Sequence, residues 1–246
     1  MSDRRHPRRP AGPDPAGPAA AGVHLAHVSV EAGDTRILDD VSLDLDARRV
    51  AVIGVNGSGK STLLRVLDGL VRPVSGTVRV HGIDPAAAPR ALRRRVGFVF
   101  TDPDMQIIMP TVHEDLAFSL RGTGLSRVQI AERVDGWLAD HGLAHRRDAP
   151  AHSLSGGQKQ LLAIGAVLIR RPDLVLADEP TTMLDLPNAR RVTRLLVEEH
   201  PGQIVIATHD LDLAARCDLA VRFAAGRVVD IGAPARLIAD YRAEWR

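Results

Sequence analysis

Apolar and polar residues alternate in part over 23–30 and again over 41–45, with Gly33-Asp34 between them as a turn signal. The pattern predicts two strands of a half-buried sheet. Residues 50–53 form a continuous apolar run, the mark of a strand covered on both faces, and a glycine-rich stretch then leads into a helix-forming segment over 61–70. Pro73 and Ser75-Gly76 signal a turn, 77–80 reads as a strand closed by His81-Gly82, 90–95 as a basic helix and 96–100 as a buried strand. From about residue 101 the pattern changes. Pro103, Pro110, Gly122 and Gly124 separate short helical pieces, and 128–138 carries apolar positions at helical spacing. Beyond them come a helix over 161–169 stopped by Pro172, a strand over 174–177, a helix over 190–199 and a strand over 204–207. Residues 219–223 and 227–231 flank Ala225-Gly226 as a hairpin. This alternation predicts an α/β fold: a mostly parallel sheet covered on both faces, with a helical subdomain inserted at about 101–160.

Composition narrows the class. A chain of 246 residues is long enough for one α/β unit with a subdomain. Its formal net charge of +2 and 3% aromatic residues give no footing for a nucleic-acid binder, which needs a basic surface and stacking platforms. Cys217 is the single cysteine, which excludes an internal disulfide framework and a cysteine-based zinc site and fits a reducing cytoplasm. The longest apolar stretches, such as 161–169, stop far short of the roughly 20 residues that span a bilayer. Residues 1–21 are rich in Pro, Ala, Gly and Arg with no apolar run, so a disordered, solvated tail is expected ahead of a folded region over 22–246.

Chemistry concentrates at strand ends. Gly54, Asn56, Gly57, Ser58, Gly59, Lys60, Ser61 and Thr62 lie in a stretch that fits G-x-x-x-x-G-K-[ST] between an apolar strand and a helix. Such glycines let the backbone approach anionic oxygens, Lys60 would grip the β- and γ-phosphates and the Ser61 hydroxyl would ligate Mg²⁺. Lys60 and Lys159 are the only lysines in an arginine-rich chain, which points to a need for a compact ammonium in the loop. The strand over 174–177 delivers Asp178 and Glu179, suited to holding Mg²⁺ and to polarising the attacking water. Ser155, Gly156, Gly157 and Gln158 open a helix expected to begin near Lys159, and form a second candidate anion-binding surface. His209 follows the strand over 204–207, where an imidazole can meet a γ-phosphate.

Together these motifs resemble the ATP-binding subunit of an ABC transporter over about residues 22–240. In that resemblance the Walker A loop is 54–62, the signature is Leu154 with Ser155 to Gln158, Walker B with the catalytic glutamate is Asp178-Glu179, the D-loop holds Asp185 and the switch histidine is His209. The resemblance implies a P-loop NTPase core with an N-terminal antiparallel β subdomain, ATP and Mg²⁺ as ligands, and a head-to-tail dimer of two copies. In that dimer the signature of one copy closes on ATP held by the other. Residues 98–106 and 110–118 further resemble energy-coupling factor importers, most closely the biotin branch, with cobalt or nickel importers and soluble cluster-assembly ATPases as alternatives. An integral membrane coupling protein, a substrate-binding membrane protein and a peripheral place on the cytoplasmic face of a bacterial membrane follow from the same likeness. Two positions depart from the family pattern. Thr101 stands where a glutamine is usual, which predicts slow basal hydrolysis because a short hydroxyl positions water less well, and no aromatic stands at 30–32 to stack on adenine.

Overall fold

The central strands carry apolar side chains on both faces, and each face feeds a separate core. In the computed structural model, which describes residues 22–244, six strands stand in the order β5 (Val96–Val99), β6 (Leu174–Asp178), β7 (Gln203–Ala207), β3 (Arg49–Ile53), β8 (Leu219–Ala224) and β9 (Arg227–Gly232). The first five are parallel and β9 returns antiparallel on β8. Because successive strand residues point to opposite faces, Ala51 and Ile53 join one core while Val50 and Val52 join the other. Val175 and Ala177 divide from Leu174 and Leu176 in the same way.

The first core packs under helices α3 (Val112–Ser119), α4 (Arg127–Asp140), α5 (Gly156–Leu168), α6 (Leu186–Thr193), α7 (Leu211–Ala214) and α8 (Pro234–Ala243). The second lies between the central sheet and a three-stranded antiparallel sheet ordered β2 (Thr35–Leu45), β1 (Val23–Ala32) and β4 (Ser75–Val80). Helix α1 (Lys60–Leu67) brings Leu63, Leu64 and Leu67 to this second core, and α2 (Pro89–Arg95) brings Leu92. Burying each such leucine contributes about 1.5–3 kcal/mol, so the start of α1 is held by apolar contacts on the sheets at either side of it.

The elements named in the sequence are present, with differences at their ends. Strand β2 begins at Thr35 rather than near 41. Register shifts between β1 and β2, with His27 and Asp40 at positive φ, break the period-two alternation in its first half. Helix α6 starts at Leu186 because the Asp185 carboxylate accepts the Asn188 N–H at 3.0 Å, and past Thr193 the chain continues as a π-helical stretch, Arg194–Glu199. Helix α5 starts at Gly156, three residues before Lys159. Helix α8 has no counterpart in the sequence reading. The tail expected over 1–21 lies outside the described residues.

Candidate functional site

The loop between β3 and α1 is shaped by three glycines at positive φ that do different things. A Cβ on Gly54 would lie 2.3 Å from the Phe223 carbonyl oxygen, and one on Gly59 would lie 2.9 Å from Leu38 Cδ2. Both glycines permit close packing. Gly57, with φ of 78°, has nothing within 4 Å of its Cβ position, so a side chain there would meet open space and only the left-handed backbone asks for glycine. Lys60, 5% exposed, donates from Nζ to the carbonyls of Gly54 (2.8 Å) and Val55 (3.1 Å). Burial lowers its pKa, with the charges of Glu179 and Asp178 opposing that shift. Ser58 Oγ is buried without a hydrogen-bond partner. A buried ammonium folded back onto the loop's own carbonyls, with an orphaned hydroxyl beside it in the same loop, fits an anionic ligand that supplies the missing acceptors.

Strand β6 ends beside this loop. Ser61 Oγ donates to Asp178 Oδ1 at 2.8 Å, and burial raises the Asp178 pKa against the lowering effect of that hydrogen bond. A hydroxyl and a carboxylate in contact are hard oxygen donors suited to Mg²⁺, which takes one or two protein ligands and fills its octahedron with water and phosphate oxygens. Among the described residues no three His, Cys, Asp or Glu side chains gather into a metal cage. Glu179 adopts the left-handed backbone, with φ of 49°, a conformation that costs a residue with a side chain of order 1–3 kcal/mol. Its Oε2 accepts three hydrogen bonds, from the His209 N–H at 3.3 Å, Thr182 Oγ1 at 3.4 Å and Thr208 Oγ1 at 3.5 Å, and lies 2.7 Å from His209 Nδ1. Thr101 Oγ1 donates to the Asp178 carbonyl at 2.9 Å. Gln106 faces away, accepting the Phe100 N–H and donating to the Ala163 carbonyl.

Lys60, Ser61, Thr101, Asp178, Glu179 and His209 are thus brought together, with Asn56 and Gly57 exposed on the loop and Thr62 in the first turn of α1. Ser155, Gly156, Gly157 and Gln158 form a separate surface at the start of α5. Ser155 and Gln158 close a capping box, each accepting the other's backbone N–H at 3.4 and 3.1 Å. Among the described residues no hydrogen bond links these four to the loop at 54–62. Asp185 is exposed at the cap of α6, and Asn188 packs over Gly157, leaving 2.4 Å to a Cβ built there. Ala32, at the end of β1, pairs with Thr35, and Val30 to Ala32 carry no aromatic ring. The sequence reading missed that Thr182 and Thr208 contact Glu179. It also missed buried Gln160, whose Nε2 donates to the Pro180 carbonyl at 3.1 Å; its place two residues after Gln158 is the only local signal.

The family model described as ABC transporter matches residues 38–182. The biotin transport ATP-binding protein BioM of Rhizobium etli is 39% identical over 220 residues, covering 89% of this chain and 97% of that one. The cobalt import ATP-binding protein CbiO of Rhodobacter capsulatus is 40% identical over 215 residues, covering 85% and 77%. A solved structure of cbiO1 from Clostridium perfringens, described as part of the ABC transporter complex cbiONQ, superposes with a TM-score of 0.79 at 33% identity over 90% of this chain and 92% of that one. The chain belongs to the ABC transporter family, as one of its ATP-binding, ATP-hydrolysing chains.

Proposed function

We propose that this chain is the ATP-hydrolysing subunit of an energy-coupling factor importer and that its transporter takes up biotin. The observation that carries the hydrolytic role is the contact of His209 and Glu179 beside the Lys60 loop, and the similarity to biotin and cobalt import proteins supports the importer. The similarity to a biotin transport protein over 97% of that protein's length supports the substrate. Lys60 would leave the Gly54 and Val55 carbonyls for the β- and γ-phosphates. Glu179 would orient and polarise the water that attacks the γ-phosphorus, giving ADP and inorganic phosphate, and His209 would hydrogen-bond the γ-phosphate. Ser61 and Asp178 would hold Mg²⁺, which neutralises charge on the β- and γ-oxygens when bound.

Ser155, Gly156, Gly157 and Gln158 face no nucleotide of their own chain in this reading. A second copy, arranged head to tail, gives them one, and Asp185 then lies at the junction of the two copies. A groove of about 500 Å³ lined by Phe98, Gln106, Ile108, Phe118 and Arg121 would receive the membrane coupling protein. A separate membrane protein would bind the vitamin, and the complex would sit on the cytoplasmic face of the membrane. Among the described residues no helix is long and apolar enough to cross a membrane.

The cobalt import relative matches at nearly the same identity over less of its own length, and uptake decides between them. Cells lacking this chain should lose uptake of labelled biotin at trace concentration and keep cobalt and nickel uptake. Unchanged biotin uptake with lost metal uptake would assign the chain to a metal importer.

A further inference from the structure

The loop after β5 is tied down at three points. Thr101 Oγ1 donates to the Asp178 carbonyl at 2.9 Å, next to Glu179. Lys159 Nζ donates to both carboxylate oxygens of Asp104, at 2.7 and 3.0 Å. Gln106 Nε2 donates to the Ala163 carbonyl at 2.8 Å. Lys159 and Ala163 are four residues apart on α5 and therefore on one face of it. The loop is a strut between the strand end that carries Asp178-Glu179 and the helix whose first turn is capped by Ser155.

Lys159 is the second of only two lysines in the chain. Its side chain is 19% exposed and its ammonium sits between two oxygens of one carboxylate, a geometry that suits a compact point charge. An isolated surface ion pair contributes little to stability. This pair instead joins two elements that serve different ATP molecules once two copies meet.

We propose that Lys159 is a positioning residue for ATP hydrolysis. Its clasp on Asp104 makes the first turn of α5 move with Thr101 and Asp178 of the same chain. The surface offered to the second copy's ATP is thereby set by what the chain's own loop holds, and the two sites hydrolyse cooperatively. This inference rests on the head-to-tail pairing proposed above.

The test compares wild type, Lys159→Met and the charge-exchanged pair Lys159→Asp with Asp104→Lys in the full chain. Lys159→Met should lower kcat about tenfold, bring the Hill coefficient for ATP toward one and leave the Kd for ATP within about twofold. The exchanged pair should recover cooperativity and at least half of the rate. An unchanged kcat and Hill coefficient in Lys159→Met would overturn the proposal. So would failure of the exchanged pair to recover, which would place the action of Lys159 on a group other than Asp104. Wild type no faster than Glu179→Gln would instead overturn the functional reading, and the clasp with it.

Discussion

His209 Nδ1 stands 2.7 Å from Glu179 Oε2, and three hydrogen bonds, from the His209 N–H, Thr182 and Thr208, converge on the same oxygen. One carboxylate oxygen is thus fixed, and among the described residues no hydrogen bond reaches the other. His209→Ala should lower kcat about 100-fold, the lower end of what a misplaced general base costs, while the Kd for ATP changes less than about threefold. Thr182→Ala and Thr208→Ala, which remove longer contacts, should each cost less than His209→Ala. Steady-state hydrolysis with parallel nucleotide binding checks the order; a His209→Ala variant at wild-type kcat would remove the imidazole from the reaction.

The different roles of Gly57 and Gly59 in the loop separate binding from folding. Gly57→Ala puts a methyl group into open space at φ of 78°, so it should cost about 1 kcal/mol of stability but weaken ATP binding at least about tenfold, because relief of the strained φ turns loop N–H groups away from the phosphates. Gly59→Ala meets Leu38 Cδ2 at 2.9 Å and the Ile37 carbonyl at 3.1 Å, and should lower the melting temperature more than Gly57→Ala does. Thermal melts and binding isotherms of both variants decide the matter, and the reverse order would contradict the assignment.

Asp68, just past the end of α1, lines the same 500 Å³ groove as Arg93. Burial pushes its pKa up from 3.8 to about 6, against the lowering charge of Arg93. A carboxyl with a raised folded-state pKa leaves stability intact below its unfolded value and erodes it as pH rises through the folded one. Between pH 3.8 and about 6 its ionisation should cost about 1–2 kcal/mol, discounted for partial solvent contact. Asp68→Asn should therefore be more stable than wild type at pH 7 and equal to it near pH 4, read from urea midpoints across that range. Parallel pH profiles would show that Asp68 does not carry the effect.

Much of this was legible before any coordinates. The strands β3, β6 and β7 announce themselves because both faces are buried, so their apolar runs are unbroken. The loop over 54–62 is legible because close backbone approach admits only glycine at Gly54 and Gly59. What escaped the sequence depends on contacts between distant segments. The first half of β2 is hidden by bulges at His27 and Asp40. Helix α8 buries only Pro234, Leu237 and Ile238, too little for a helical stripe. Thr208 meets Glu179 from 29 residues away, and the local Thr182 contact accompanies a left-handed backbone at Glu179 that no neighbouring residue signals. The short hydroxyl of Thr101 was read for its reach toward water, whereas in the fold it is spent on the Asp178 carbonyl.

The central claim is that Glu179 polarises the attacking water while Lys60, Ser61 and Asp178 hold the nucleotide. Its most direct test is single-turnover hydrolysis of ATP by Glu179→Gln beside wild type, with binding measured on the same samples. The amide keeps the shape and removes the base, so the account predicts an unchanged Kd, a hydrolysis rate lowered at least about 100-fold and accumulation of a two-copy complex with ATP. Hydrolysis by Glu179→Gln at the wild-type rate would contradict it.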